Sequence, residues 1–201
     1  MFFLEIAVNR QLPEASADKR AQRTREALLA AFFGLVLERR YTDIKVGDIV
    51  ELANVGRSTF YEHFANKNAI LAVSLESPFS VLADTVLPAD NSTRLVWTLQ
   101  HFWENRVIGK ALFAATMRRK VTAVLVQMIE RRLEDEHLLY PHALIIPARL
   151  AAIQLAENLL APITAWLASA PACSPEQLAR ALRRSAVAIL AALRNQNSGG
   201  D

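Results

Sequence analysis

Asp48 to Lys67 reads DIVELANVGRSTFYEHFANK, and this stretch decides the fold. Ile49, Leu52 and Ala53 give one short segment an apolar face, and Phe60 and Phe64, four apart, do the same for the next. Between them, Asn54-Val55-Gly56 must reverse the chain within three residues. Such a turn needs a left-handed backbone, which Asn tolerates best after glycine. Ala53 is small enough to let two helices approach at their crossing. The result is a helix-turn-helix, with the helices crossing at roughly 90–120°. The outer face of the second helix carries Arg57, Ser58, Thr59, Tyr61 and His63, all polar-tipped and close to its start. In this motif those positions enter the major groove of duplex DNA. Arg57 suits either a bidentate contact to guanine O6 and N7 or a phosphate. Ser58 and Thr59 reach base edges or phosphates, and Tyr61 and His63 offer donors to phosphate oxygens. Lys67 opens the next helix and adds a cation and free backbone N–H groups for a further phosphate.

The chain around this motif has 201 residues, 52% hydrophobic and 21% charged, with six glycines and one cysteine. So much apolar surface offsets the entropy of folding, which excludes a disordered chain. The lone Cys173 excludes a disulfide scaffold and a cysteine-rich zinc site. Excess Ala and Leu, with few glycines and few β-branched runs, predicts an all-α protein rather than a barrel or sandwich. Lys and Arg number 23 against 20 Asp and Glu, a net +3 that suits a nucleic-acid partner without demanding one. Placement, not total charge, has to locate the DNA-binding part.

Met1 to Val8 is apolar but broken by Glu5, with no basic start or cleavage site, so a signal peptide is not expected. No apolar run reaches the length of a membrane span, and a cytoplasmic location follows. Enzyme chemistry is not expected either. There is no glycine-rich phosphate loop, nucleophile elbow or paired-histidine metal motif, and no cofactor or resident metal is implied. His137 and His142, near Glu134 and Glu136, are either a metal sensor or ordinary exposed groups at a helix end. Cys173 is either a redox switch or inert. The plain alternatives are favoured for both.

Along the chain, residues 1–15 lack a helical period and read as an N-terminal arm. A helix follows from Ser16, with Leu28, Leu29, Phe32, Phe33, Val36 and Leu37 as its apolar stripe. Short helices are predicted over roughly Val46–Ala53 and Arg57–Phe64, then one from about Lys67 toward Leu82 that ends or kinks near Pro78. Longer patterns follow at Thr93–Val107, Lys110–Met117, Lys120–Leu139, Pro147–Ala168 and Pro175–Arg194. Ser174 with Gln177 forms a capping box for the last of these. The predicted organisation is a helix-turn-helix DNA-binding domain over 16–72, a larger helical ligand-binding and dimerisation domain over 73–194, and a polar, disordered tail at 195–201.

The segment Arg23 to Leu71 resembles the DNA-binding domain of the TetR family of bacterial transcriptional regulators. The matching residues are Tyr41-Thr42, Asp48-Ile49, Val55, and Ser58-Thr59-Phe60-Tyr61 through His63-Phe64 to Lys67. The resemblance implies that Tyr61 contacts a phosphate and that Lys67 caps a phosphate at the following helix. It also implies that Lys45, Gly47, Arg57, Ser58, Thr59 and His63 line the groove. The departures are Arg40 for a helix-closing glycine, Lys45 for a capping threonine, Gly56 for a capping serine and Asn54 for a turn glycine. Each lost cap costs on the order of 1 kcal/mol, less where glycine substitutes.

The last two helices carry apolar residues on most sides, and a helix of that kind is normally buried. The expected cover is a second copy of the chain, with Leu155, Leu159, Ile163, Trp166, Leu182, Val187, Ile189 and Leu190 in the interface. By resemblance this pair forms a four-helix homodimer, which would match a palindromic double-stranded DNA operator. The family also implies a small-molecule effector, of unknown identity, in a hydrophobic pocket. Trp97, His101, Phe102, Trp103, Phe113, Met117 and Met128, with Asn158 as a polar anchor, are its candidates. Ordinary core packing is the competing reading for each of them. The expectation is a ligand-responsive repressor. The alternative is a helical protein-interaction module with a vestigial helix-turn-helix.

Overall fold

Asn54 adopts φ 53°, the one positive φ at a non-glycine residue among those described, and its turn separates two seven-residue helices. In this computed structural model the described residues are 16–88, 91–113, 115–139, 144–169 and 173–194. The expected arm at 1–15 and tail at 195–201 lie outside them. The helices are α1 (Ser16–Glu38), α2 (Val46–Leu52), α3 (Arg57–His63), α4 (Lys67–Ala83), α5 (Ser92–Glu104), α6 (Arg106–Leu112), α7 (Ala115–Leu139), α8 (Ala148–Ala168) and α9 (Pro175–Leu193). A 3-10 turn, Asp84–Val86, follows α4. Among the described residues there is no strand, only an isolated antiparallel bridge between Leu144 and Arg194. The fold is all-α: an N-terminal helix-turn-helix part followed by a larger helical part.

The chain divides into two compact units: Met1–Ser77 with Ala114–Met117, and Pro78–Phe113 with Arg118–Asp201. The division falls inside α4, which continues through Pro78 to Ala83 rather than ending at the proline. In the first unit the α1 stripe is buried at Leu28, Leu29, Phe32, Phe33 and Val36, whereas Leu37 is exposed. The same unit buries Tyr41, Ile44, Ile49, Phe60, Phe64 and Ile70. Phe32 meets the edge of Tyr41 with ring centroids 6.3 Å apart.

In the second unit α5 stops earlier than the apolar pattern suggests. The backbone and side-chain N–H groups of Asn105 both donate to the His101 carbonyl at 3.0 Å, and α6 restarts at Arg106. A Cβ on Gly109 would come within 3.0 Å of Leu167, so glycine is what permits the close approach of α6 and α8. The α9 capping box forms: Ser174 N donates to Gln177 Oε1 at 2.8 Å, and Gln177 N to Ser174 Oγ at 3.3 Å. Phe79, Phe102 and Phe113 form a buried aromatic group with centroids 6.1–6.5 Å apart.

Helices α8 and α9 pack on each other, α9 also against α5 and the 3-10 turn, and α8 against α6. That packing includes most of the residues expected in a dimer interface. Leu155, Leu159, Ile163, Trp166, Leu182 and Leu190 are all buried within the chain itself, Ile189 is half-buried, and only Val187 is exposed. The large apolar side chains point into this chain's own core, and the outward positions mix alanines and Leu150, Ile153 and Val187 with polar residues such as Gln154, Glu157, Arg180 and Arg184. The Lys67–Val86 segment and α8 are long and apolar enough to cross a membrane, although no uninterrupted apolar run in the sequence is. Half or more of each is buried inside the structure, as in core helices.

The turn supplies a stability test. Asn54→Val lowers the unfolding free energy by about 1–2 kcal/mol in chemical denaturation, because a β-branched residue resists positive φ. Asn54→Gly leaves it within about 0.5 kcal/mol, since glycine takes that backbone freely.

Candidate nucleic-acid interface

Phe60 is fully buried and Phe64 nearly so, and these two rings fix which side of α3 faces outward. One residue on, Tyr61 is 57% exposed and stands edge-on to Phe60 at 5.4 Å. Arg57 and Ser58 are exposed, and Thr59 and His63 are half-buried at the flanks. Arg25 of α1 reaches across to α3, its guanidinium 5.5 Å from the Phe64 ring centroid. Gly56, extended at φ −74° and ψ 155°, precedes α3 without a side-chain cap. The exposed start of α3 therefore presents a cation, two hydroxyl groups and open backbone donors on one surface, suited to phosphates and base edges.

The start of α2 lies beside it. A Cβ added to Gly47 would come within 3.2 Å of Arg57 Nη2, so the guanidinium rests against bare backbone there. Lys45 is exposed and has no threonine hydroxyl to cap α2. Half of a capping box survives, since Lys45 N donates to Asp48 Oδ2 at 2.6 Å. Arg39 pairs with the same carboxylate at 3.6 Å. Lys45, Gly47, Arg57, Ser58, Thr59, Tyr61 and His63 are thus all carried by the α2–α3 hairpin.

Lys67 is placed differently from its sequence expectation. Its Nζ donates to the carbonyls of Tyr41 and Ile44, 2.5 Å from each, and sits 4.2 Å from the Tyr41 ring centroid. The Tyr41 hydroxyl donates to Asn68 Oδ1 at 2.7 Å. Burial pushes the Tyr41 phenol up to about 12. The first turn of α4 is capped by Asn66, whose Oδ1 accepts from Asn68 N at 2.8 Å and Ala69 N at 3.1 Å. Sequence reasoning named Tyr41 only as a matching residue and did not single out Asn66 or Asn68. An asparagine immediately before a helix start was the available signal for the cap.

The pocket candidates have different immediate surroundings. Trp97 is 53% exposed and stacks on buried His101 at 5.7 Å. Trp103 packs on Trp166 at 5.0 Å with Arg106 over its other neighbourhood at 5.1 Å. Phe102 and Phe113 belong to the aromatic core, and Met128 is half-buried. Asn158 donates to Ser185 Oγ at 2.9 Å and so ties α8 to α9, while Met117 falls in the first unit. Glu157 pairs with Arg118 at 2.5 Å. Cys173 is half-buried, and its carbonyl accepts from Trp166 Nε1 at 3.2 Å. His142 lies outside the described residues, as does the side chain of His137.

With this geometry in view, residues 25–73 match the profile of the bacterial regulatory proteins, tetR family. The chain is 38% identical over 72 residues to an uncharacterized HTH-type transcriptional regulator, YxbF, of Bacillus subtilis (strain 168). That match covers 35% of this chain and 19% of the relative. It is 29% identical over 96 residues to the HTH-type dhaKLM operon transcriptional activator DhaS of Lactococcus lactis, covering 45% of this chain and 49% of that one. The matches therefore span half or less of these two relatives. A solved structure of a TetR transcriptional regulator from Streptococcus agalactiae 2603V is 25% identical. It superposes with a TM-score of 0.53, over 85% of this chain and 97% of that one.

The buried phenol supplies a pH test. Raising its pKa from 10.0 to about 12 means the fold favours the neutral form. That contribution to stability is complete below about pH 10 and is lost as the pH climbs through about 12. Ultraviolet difference titration of the native chain against Tyr41→Phe should place the Tyr41 transition near 12. A Tyr41 transition near 10 would show an exposed ring.

Proposed function

The chain belongs, through residues 25–73, to the tetR family of bacterial regulatory proteins, and from that premise we propose a DNA-binding transcriptional regulator. The observation that carries this reading is the α3 surface, where Arg57, Ser58 and Tyr61 stand outward while Phe60 is fully buried behind them. The N-terminal half of such a helix fits the major groove, with Lys45 and Gly47 of the preceding helix at its margin. The protein acts where the chromosome is, in the cytoplasm, and carries out no chemical step.

The active form in this reading is a homodimer on a palindromic operator, since two-fold symmetry offers one recognition helix to each half-site. Its contact face is the outward side of α8 and α9 rather than the side chains first expected. Leu150 and Ile153 are 53% and 40% exposed, Val187 is 46% exposed, and Ala161, Ala165 and Ala188 continue the stripes. Ala161 and Ala165, four apart, and Ala188 are small enough to let two helix pairs approach closely. A small-molecule effector bound in the second unit shifts α4 and takes the recognition helices out of register with successive grooves. The regulator is a repressor, acting by occupying promoter DNA until the effector arrives.

Selection from a random duplex library with the full chain tests the whole reading. An inverted repeat should emerge, bound saturably and with salt sensitivity. No selected duplex, with no salt-sensitive binding, would leave only the protein-interaction module. Arg57→Ala should weaken the selected duplex by about 1–3 kcal/mol and relax one base position if Arg57 reads guanine. Uniform loss across sequences would make it a phosphate contact. Deleting the gene should raise transcription beside the selected sites, whereas a fall would make the protein an activator, as DhaS is described. Val187→Glu should shift the chain from dimer to monomer in sedimentation at micromolar concentration, and a native chain that is already monomeric contradicts the dimer.

A further inference from the structure

We propose that Lys67 is a positioning residue of the DNA-binding unit, an ammonium clasp between the segment leading into α2 and the first turn of α4, and not a phosphate ligand. The inference rests on the DNA-binding reading of α3. An ammonium has three donors and no acceptor. Here it donates to two carbonyls, Tyr41 O and Ile44 O, 2.5 Å from each, and the Tyr41 ring lies 4.2 Å away. Those carbonyls belong to the link between α1 and α2, where no helical ladder is available to satisfy them. The next residue grips the same tyrosine from its other end, Asn68 Oδ1 accepting from the phenol hydroxyl at 2.7 Å.

An anion site at the start of α4 would need the cation and the first free amides together. Two of the ammonium's donors and the amides of Asn68 and Ala69 are engaged within the protein. Asn66 Oδ1 takes the N–H groups of Asn68 and Ala69, at 2.8 and 3.1 Å. Drawing Lys67 away onto a phosphate would leave two carbonyls without their donor, and a bond to a charged group is among the stronger kinds. What the clasp accomplishes is alignment. It holds residues 41–44, and hence the start of α2 at Val46, to the first turn of α4. Because α2 packs on α3, the recognition surface inherits that alignment.

Lys67→Met keeps the aliphatic stem and removes the donors, and Lys67→Arg keeps the charge but presents a planar fork that does not seat between the same two carbonyls. Two readouts on the full chain separate the roles: amide hydrogen exchange without DNA, and the salt dependence of binding to the selected duplex and to generic duplex DNA. For a clasp, both variants speed exchange over residues 43–49. Both also weaken both duplexes by a similar factor, roughly tenfold, while the slope of log K against log salt stays that of the native chain. Lys45→Ala serves as the exposed-cation control, and its slope should fall by about 0.9 if Lys45 meets a phosphate. A slope reduced by about 0.9 in Lys67→Met, or affinity restored by Lys67→Arg, overturns the clasp in favour of a phosphate ligand. Native exchange in both variants overturns it as well. If Lys67→Met does not fold, Lys67→Arg carries both readouts. If the native chain binds no duplex, the regulator reading fails, and the exchange experiment still decides the clasp.

Discussion

The burial of Phe60 is the constraint from which the recognition surface follows. A seven-residue helix has too few internal hydrogen bonds to persist alone, so its geometry must come from tertiary packing. Phe60 and Phe64 supply that packing, each at roughly 1.5–3 kcal/mol for full burial. Because successive helical residues turn by a fixed angle, anchoring position 60 fixes the directions of 57, 58 and 61. The polar side chains need no partner of their own to face outward. The aromatic pair decides the face, and Arg25 over Phe64 ties that decision to α1.

The turns of the first unit are held by side chains different from those the resemblance would suggest, and the substitutions work by recognisable chemistry. Asn54 accepts the left-handed backbone that a glycine would take more freely. Asp48 accepts from the Lys45 amide, which retains one arm of a capping box after the threonine hydroxyl is gone. Asn66 caps α4 through two amides. Each compensation is local and hydrogen-bonded, so the backbone frame survives changes at several of its punctuation points.

How much of this was legible in the sequence depends on the kind of signal. Asn54, the Phe60–Phe64 spacing and the Ser174–Gln177 box are local patterns read within a few residues, and they appear in the structure where the sequence puts them. The α5 stop at Asn105 was not legible, because the apolar period continues past it and only an asparagine back-bonding to His101 breaks it. Lys67 was read as a surface cation because its partners, Tyr41 and Ile44, lie more than twenty residues earlier in the chain. No spacing rule connects a lysine at a helix start to two loop carbonyls that far away. The pocket candidates rest on an ambiguous signal, since aromatic residues such as Phe102 and Phe113 fill a core as readily as they would line a cavity.

Helices α8 and α9 show how an apolar composition is divided between a chain's own core and its outer face. Read as a cylinder, each looks apolar on most sides, and the largest residues draw attention as interface candidates. Size, however, is what intrachain packing selects, since Leu155, Leu159 and Ile163 lose the most water by facing their own neighbours. The apolar positions left outside are alanines with a few larger residues such as Ile153 and Val187, set among polar residues such as Gln154, Glu157, Arg180 and Arg184. Alanine on an exposed helix face costs little for the monomer and leaves the backbone accessible to a close partner. The apolar content of these two helices is therefore divided between bulky side chains that close the second unit on itself and mostly smaller ones that lie among polar residues on the outer faces. Of the apolar residues, that second set is the one exposed to meet another molecule.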